Sequence, residues 1–294
     1  EIASCLVGSE MCIRDRLLRT SHNKERDNML WNISGSFFYA FASMVLSFLV
    51  MRIIGKEQGG IFSFGFSTIG QQMFILAYFG IRPFQVTDGN GQFRFGDYLH
   101  HRYVTCALAL AAGGVWLLVS GYTIEKAVVI FLLVCYKVID GFADVYESEF
   151  QRNGNLHLTG KSNTFRTILT VGTFLIVLTI TRNLLAACAA AAAAQAAGVL
   201  IFDQVVIRRL SGVDFAWDKE KLWTLTGSTV LLFVSVFFDF YVFSAEKYAI
   251  DAYLNDAASG YFNIIFMPTS MINLAAGFVI RPVLTLSLIH ISEP

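Results

Sequence analysis

A helix needs about 20 predominantly apolar residues to cross the hydrocarbon core of a bilayer, and this chain supplies that length repeatedly. Eight segments qualify, at roughly 29–51, 61–82, 103–121, 127–148, 164–181, 184–207, 222–243 and 257–280. The linkers are short and carry Gly, Asn, Asp and charge, as in GKEQGG, QRNGNLHLTGKSN and SAEKYAIDAYLND. In lipid every backbone N–H and C=O must be satisfied within the protein, which leaves helices packed into a bundle as the natural fold. The expected fold class is therefore all-α, a polytopic transmembrane helical bundle of about eight spans. Charged residues make up only 15% of the 294, too few to cover a water-facing surface. The net charge is zero and no basic, aromatic-interleaved patch occurs, so nucleic acid is not an expected partner.

Lys and Arg set the orientation, because cytoplasmic loops carry the excess of both. With the N-terminus in the cytoplasm, fourteen fall inside, Arg82, Arg102 and Arg166 among them, against five outside. Cys106, Cys135 and Cys188 lie in apolar runs without metal spacing and read as lone thiols. The stretch AACAAAAAAQAAG, 186–198, reads as tight helix packing, with Gln195 hydrogen-bonded to a neighbouring helix.

The fourth segment is the unusual one. It runs from AVVIFLLVC straight into YKVIDGFADVYESEF, with no turn signal between. At 100° per residue, Lys137, Asp140, Asp144, Glu147, Ser148 and Gln151 fall within an arc of roughly 100°. Lys137 lies about 15 Å from the start of the span, near mid-bilayer. A charge at that depth costs about 2.5–3.5 kcal/mol on insertion scales, so the arc has to face protein or water. Two readings stay open. One is a structural ion pair of Lys137 with Asp140 or Asp144; the other is a hydrophilic cavity admitting a polar substrate. Three acids for one lysine exceed what pairing needs, which favours the cavity. Asn32, Gln71, Gln72, Asp239 and Asn273 are further polar groups at membrane depth, and Asn32 and Gln71 join Lys137, Asp140, Asp144 and Glu147 as candidate cavity residues.

Other motifs fail on spacing. TGKS at 159–162 lacks the glycine a phosphate loop needs at 155, where Asn155 stands, and reads as part of a cytoplasmic loop. His100 and His101 adjoin in a linker without a carboxylate or cysteine at ligand spacing, and read as a solvated pair. No metal site, cofactor or enzymatic constellation is expected.

Several segments together resemble the polysaccharide flippases of the multidrug/oligosaccharidyl-lipid/polysaccharide (MOP) exporter superfamily. They are NMLWNISGSFFYAFASMVLSFLVMRIIGKEQGGIFSFGFS, FGIRPFQVTD, the polar fourth helix running into QRNGNLHLTGKSNTFR, and SAEKYAIDAYLNDAASGYFNIIFMPTSMINLAAGFVIRP. Order and spacing carry the likeness, over residues 17–285. It implies a first six-helix lobe at 17–210 and the opening two helices of a second at 211–285. It also implies a multi-pass protein of the bacterial cytoplasmic membrane that flips undecaprenyl-diphosphate-linked oligosaccharide for cell-surface polysaccharide biosynthesis. The partners would be the lipid-linked oligosaccharide, membrane lipids and a coupling ion. A drug or cation exporter of the same superfamily is the alternative, followed by a membrane-embedded glycan polymerase or ligase. Both ends, CLVGSEMCIRDR at 5–16 and LSLIHISEP at 286–294, resemble translated sequencing-adapter read-through. Residues 1–16 and 286–294 are accordingly expected to be non-native, and the natural protein to continue beyond Thr285.

Overall fold

The computed structural model describes residues 23–88, 91–210 and 217–266, with positions 269 and 272. Among them the chain is helical, without strands. Helix α1 (Lys24–Ile54) is followed by α2 (Lys56–Phe64), a π-helical turn at Gly65–Ile69, α3 (Gly70–Tyr78) and the short α4 (Ile81–Thr87). Then come α5 (Phe95–Val119), α6 (Ile124–Arg152), α7 (Leu156–Thr181) and α8 (Leu184–Gly198). A second π turn at Val199–Gln204 leads into α9 (Val205–Leu210), and α10 (Lys219–Phe243) and α11 (Ala245–Tyr253) complete the sequence. Residues 256–266 are helical again, while most of the expected span at 257–280, Asn273 included, lies outside the described residues.

The polar linker residues act as helix starts. Side chains of Asn23, Thr123, Asn183 and Asp218 each accept a hydrogen bond from a first-turn N–H of the helix that each precedes. Several linkers are shorter than expected. The His100–His101 pair lies inside α5, TGKS lies inside α7, and α11 occupies most of SAEKYAIDAYLND.

Among the described residues six helical segments are long and apolar enough to cross a membrane: Lys24–Ile54, Lys56–Thr87, Phe95–Val119, Leu156–Thr181, Leu184–Arg208 and Lys219–Phe243. Their outer faces are apolar, with Phe37, Leu118, Ile180 and Leu231 among the exposed side chains. The charged side chains at Arg102, Arg166 and Asp203 are buried inside the bundle. This inverted polarity is what a lipid solvent requires, and it marks a membrane protein.

Helix α6, too charged to be one of the six, is the axis around which the bundle is built. It is contacted by α2, α3, α4, α5, α7, α8 and α9, and by both π turns. A strip from Leu133 to Val138 is buried with Phe62, Phe66 and Met73 in the main apolar core. Glycine permits the closest approaches. A Cβ on Gly70 would stand 3.0 Å from Cγ of Lys137, and one on Gly198 would stand 2.8 Å from Cγ of Arg166.

The α1–α7 crossing is tighter still. A Cβ on Gly160 would meet the Trp31 carbonyl oxygen at 2.0 Å, and one on Gly35 would meet the Gly160 oxygen at 2.6 Å. The glycine of TGKS is thus a helix-crossing residue. Gly160→Val has to push two backbones apart, and overpacking of this kind costs about 1–3 kcal/mol or more. The expected result is a fall of about 5 °C or more in the unfolding midpoint in detergent; an unchanged midpoint would show that the helices are not in contact there.

Candidate functional site

The charged arc of α6 meets three arginines, one from each of three other helices. Asp144 takes two of them. Arg82 of α4 lies 2.6 Å from Oδ1, and Arg102 of α5 lies 2.9 Å from Oδ2. Arg82 also reaches Glu147 at 3.5 Å and Gln151 Oε1 at 3.2 Å. One turn and more away, Arg166 of α7 binds Glu147 at 2.9 Å and Asp140 at 3.1 Å through Nη2. Its Nη1 binds Asp203 of the second π turn at 2.8 Å. Ser162 completes the Asp203 shell by donating to Oδ1. Gln195 of α8 donates to Asp140 Oδ1 at 2.9 Å, so this side chain does reach a neighbouring helix.

Lys137 stands apart from these pairs. Neither Asp140 nor Asp144 forms an ion pair with it, contrary to the simplest structural reading of the arc. Its Nζ donates to the Tyr39 hydroxyl at 3.0 Å and to Gln71 Oε1 at 3.1 Å. The Phe66 ring lies 4.2 Å away and the Tyr39 ring 5.5 Å. Tyr39 in turn donates to Asp140 Oδ2 at 3.0 Å, linking the lysine to the network through one hydroxyl. Lys137, Arg82, Arg102 and Arg166 supply four positive charges; Asp140, Asp144, Glu147 and Asp203 supply four negative ones. The cluster is neutral, and all but Arg82 are buried.

This balance corrects the argument from surplus acidity. The three carboxylates of the α6 arc, Asp140, Asp144 and Glu147, are each matched by arginine, and the side that faces them is filled by α4, α5, α7 and α8. Arg82, Arg102 and Arg166 are therefore not loop residues; without them the orientation count is eleven against five. Of the candidate residues, Lys137, Asp140, Asp144, Glu147 and Gln71 come together. Asn32 does not: it lies at the α1–α7 crossing, where its backbone nitrogen borders Gly160, and it makes no hydrogen bond to the cluster. Gln72 donates to the Phe237 carbonyl of α10 at 3.0 Å, and Asp239 is exposed. The histidines are not a solvated pair, since His101 is buried against Phe79 with Nε2 3.1 Å from Thr226 Oγ1. Asp203 is not among the expected site residues, although an acid within an apolar span is itself a functional signal.

Both ends of the bundle carry further ties. At one, Lys126 at the start of α6 binds Asp251 at 2.6 Å and Asp256 at 2.8 Å. Burial and the hydrogen bond to Asp251 push the Tyr122 phenol above its ordinary pKa. At the other, Lys221 of α10 binds Asp97 at 3.0 Å, and Arg152 binds Asp88 at 3.3 Å. Burial alone would raise the Asp88 carboxyl, but the N–H groups of Phe93 and Gln92 outweigh it and hold the group below its usual range. The lysine ties join α10, α11 and Asp256 to the earlier helices.

No family model matches the chain, and no curated protein or solved structure is similar to it.

Proposed function

We propose that the chain forms part of a membrane transporter that flips a lipid-linked oligosaccharide, its diphosphate recognised at Lys137. The observation that carries this reading is the setting of that lysine. It is a cation near mid-bilayer depth whose hydrogen-bond partners are neutral oxygens, while each nearby carboxylate is held by arginine. An ammonium has three donors, and two of Lys137's are engaged. The third can meet an anionic oxygen without first breaking an ion pair. Arginine would serve less well, being larger and built for bidentate pairing.

In this conformation Lys137 is buried, so access requires α1, which carries Tyr39, or α3, which carries Gln71, to move. The π turn beside Lys137 offers a place to do so, as such turns recur at functional sites. On this reading α1 to α9 make the first lobe, α10 opens the second, and the total is about eight spans. Orientation with the N-terminus in the cytoplasm of a bacterium rests on the remaining excess of Lys and Arg. The likeness to the MOP flippases points to the same substrate class.

The test is reconstitution of the intact gene product in vesicles holding a fluorescent undecaprenyl-diphosphate-linked glycan in one leaflet. Leaflet exchange should exceed that of empty vesicles and leave a neutral glycolipid unmoved. Exchange at the empty-vesicle rate for every lipid-linked glycan tried would refute the proposal.

A further inference from the structure

The structure assigns a second site, for the headgroup of an anionic phospholipid, to a cavity at the end of the bundle where α5 begins and α9 ends. The cavity measures about 300 Å³. Leu99 and Ile207 form its apolar floor, the Tyr103 and Tyr146 rings its walls, and Gln204 and Arg208 its polar rim. It belongs to neither the Lys137 cluster nor the ties described above, and it does not depend on the flippase reading.

Three observations select the ligand. First, the polar groups are free. Among the described residues Arg208 has no carboxylate partner, and neither the Gln204 amide nor the Tyr146 hydroxyl, both on the cavity lining, has a hydrogen bond. Arg102 and Arg166 inside the bundle are paired with carboxylates, whereas the exposed guanidinium on this cavity rim is left to take an anion. Second, the depth is that of a headgroup. Arg208 is the last residue of the membrane-length segment Leu184–Arg208, the end that would meet headgroup phosphates if this segment crosses a bilayer. Third, the cavity borders an exposed apolar surface. Tyr103 is 49% exposed and heads a stripe of exposed residues at four-residue spacing, Tyr103, Ala107, Ala111 and Val115, while Leu200 and Ile201 are exposed just before Gln204. A headgroup in the cavity therefore leaves its acyl chains against an apolar surface. With one cation and no acid on the rim, the headgroup has to be net negative.

Native mass spectrometry of the purified chain in detergent, titrated with phosphatidylglycerol or phosphatidylcholine, tests this. Arg208→Gln removes the rim charge at an exposed position; Arg52→Gln removes another exposed charge at the far end of α1, away from the cavity. The expected result is selective retention of phosphatidylglycerol, weakened about tenfold by Arg208→Gln and changed less than about twofold by Arg52→Gln. The folded charge-state distribution in the same spectra verifies that both variants fold. Equal weakening by both variants, or none by Arg208→Gln, would overturn the site. Displacement of the lipid by millimolar inorganic phosphate would overturn the lipid assignment in favour of a free phosphate.

Discussion

Arg166→Ala is expected to cost the bundle about 3–5 kcal/mol, the usual penalty for removing one partner from a buried ion network. Asp203, Asp140 and Glu147 all lose a guanidinium contact, and Asp203 is left with Ser162 alone. The loss is a large share of the 5–15 kcal/mol that holds a typical protein folded. In detergent it should appear as failure to recover a monodisperse protein, or as a collapse of the unfolding midpoint. Arg166→Ala with Asp203→Ala should be less damaging than the two single losses added together, since the pair is coupled. A single variant that melts with the wild type would mean that α7 and the second π turn are not joined through this side chain.

Arginine is the residue suited to the position. Its fork serves Asp203 through one nitrogen, and Asp140 and Glu147 through the other, while Gly198 leaves room for its stem. Lysine offers a single point charge and cannot reach two directions at once. The neutral cluster also explains how α6 can be the most charged of the long helices and the most enclosed. Asp140, Asp144 and Glu147 take their cations from other helices, so it has no stable place in lipid on its own.

The length of the apolar runs made the helices legible, and their observed limits match the expected segments to within a few residues at most ends. The charge on α6 was legible too, because the three acids and Lys137 share an arc fixed by 3.6 residues per turn. The groups facing that arc were not legible. Arg82, Arg102 and Arg166 are separated from Asp144 and Glu147 by 19 to 65 residues in the chain. Near the ends of apolar runs they look like ordinary interfacial anchors. Only the packing of α4, α5 and α7 around α6 turns them inward. The same applies to His101 and Gly160, whose polar or small character reads as a loop until a neighbouring helix is in place. Asp203 was the exception, an acid well inside an apolar run and readable as such.

Lys137→Ala should have the opposite profile to Arg166→Ala. Its partners are a hydroxyl and an amide, and Tyr39 keeps its hydrogen bond to Asp140, so the helices stay joined and the protein inserts and folds. What disappears is the cation proposed to meet the substrate. If a diphosphate binds there, loss of a charge-assisted contact worth about 1.5–3 kcal/mol already lowers affinity roughly tenfold or more. Leaving the cluster with net negative charge repels the anion as well. Export should therefore fall to background, and Lys137→Arg should restore it only in part.

That comparison tests the central claim most directly. Leaflet exchange of the fluorescent diphosphate-linked glycan would be measured in vesicles carrying wild-type, Lys137→Ala or Lys137→Arg protein at matched incorporation. The account predicts robust exchange for wild type, background for alanine with an intact unfolding profile, and an intermediate rate for arginine. Wild-type exchange from the alanine variant would contradict it and leave Lys137 a packing residue.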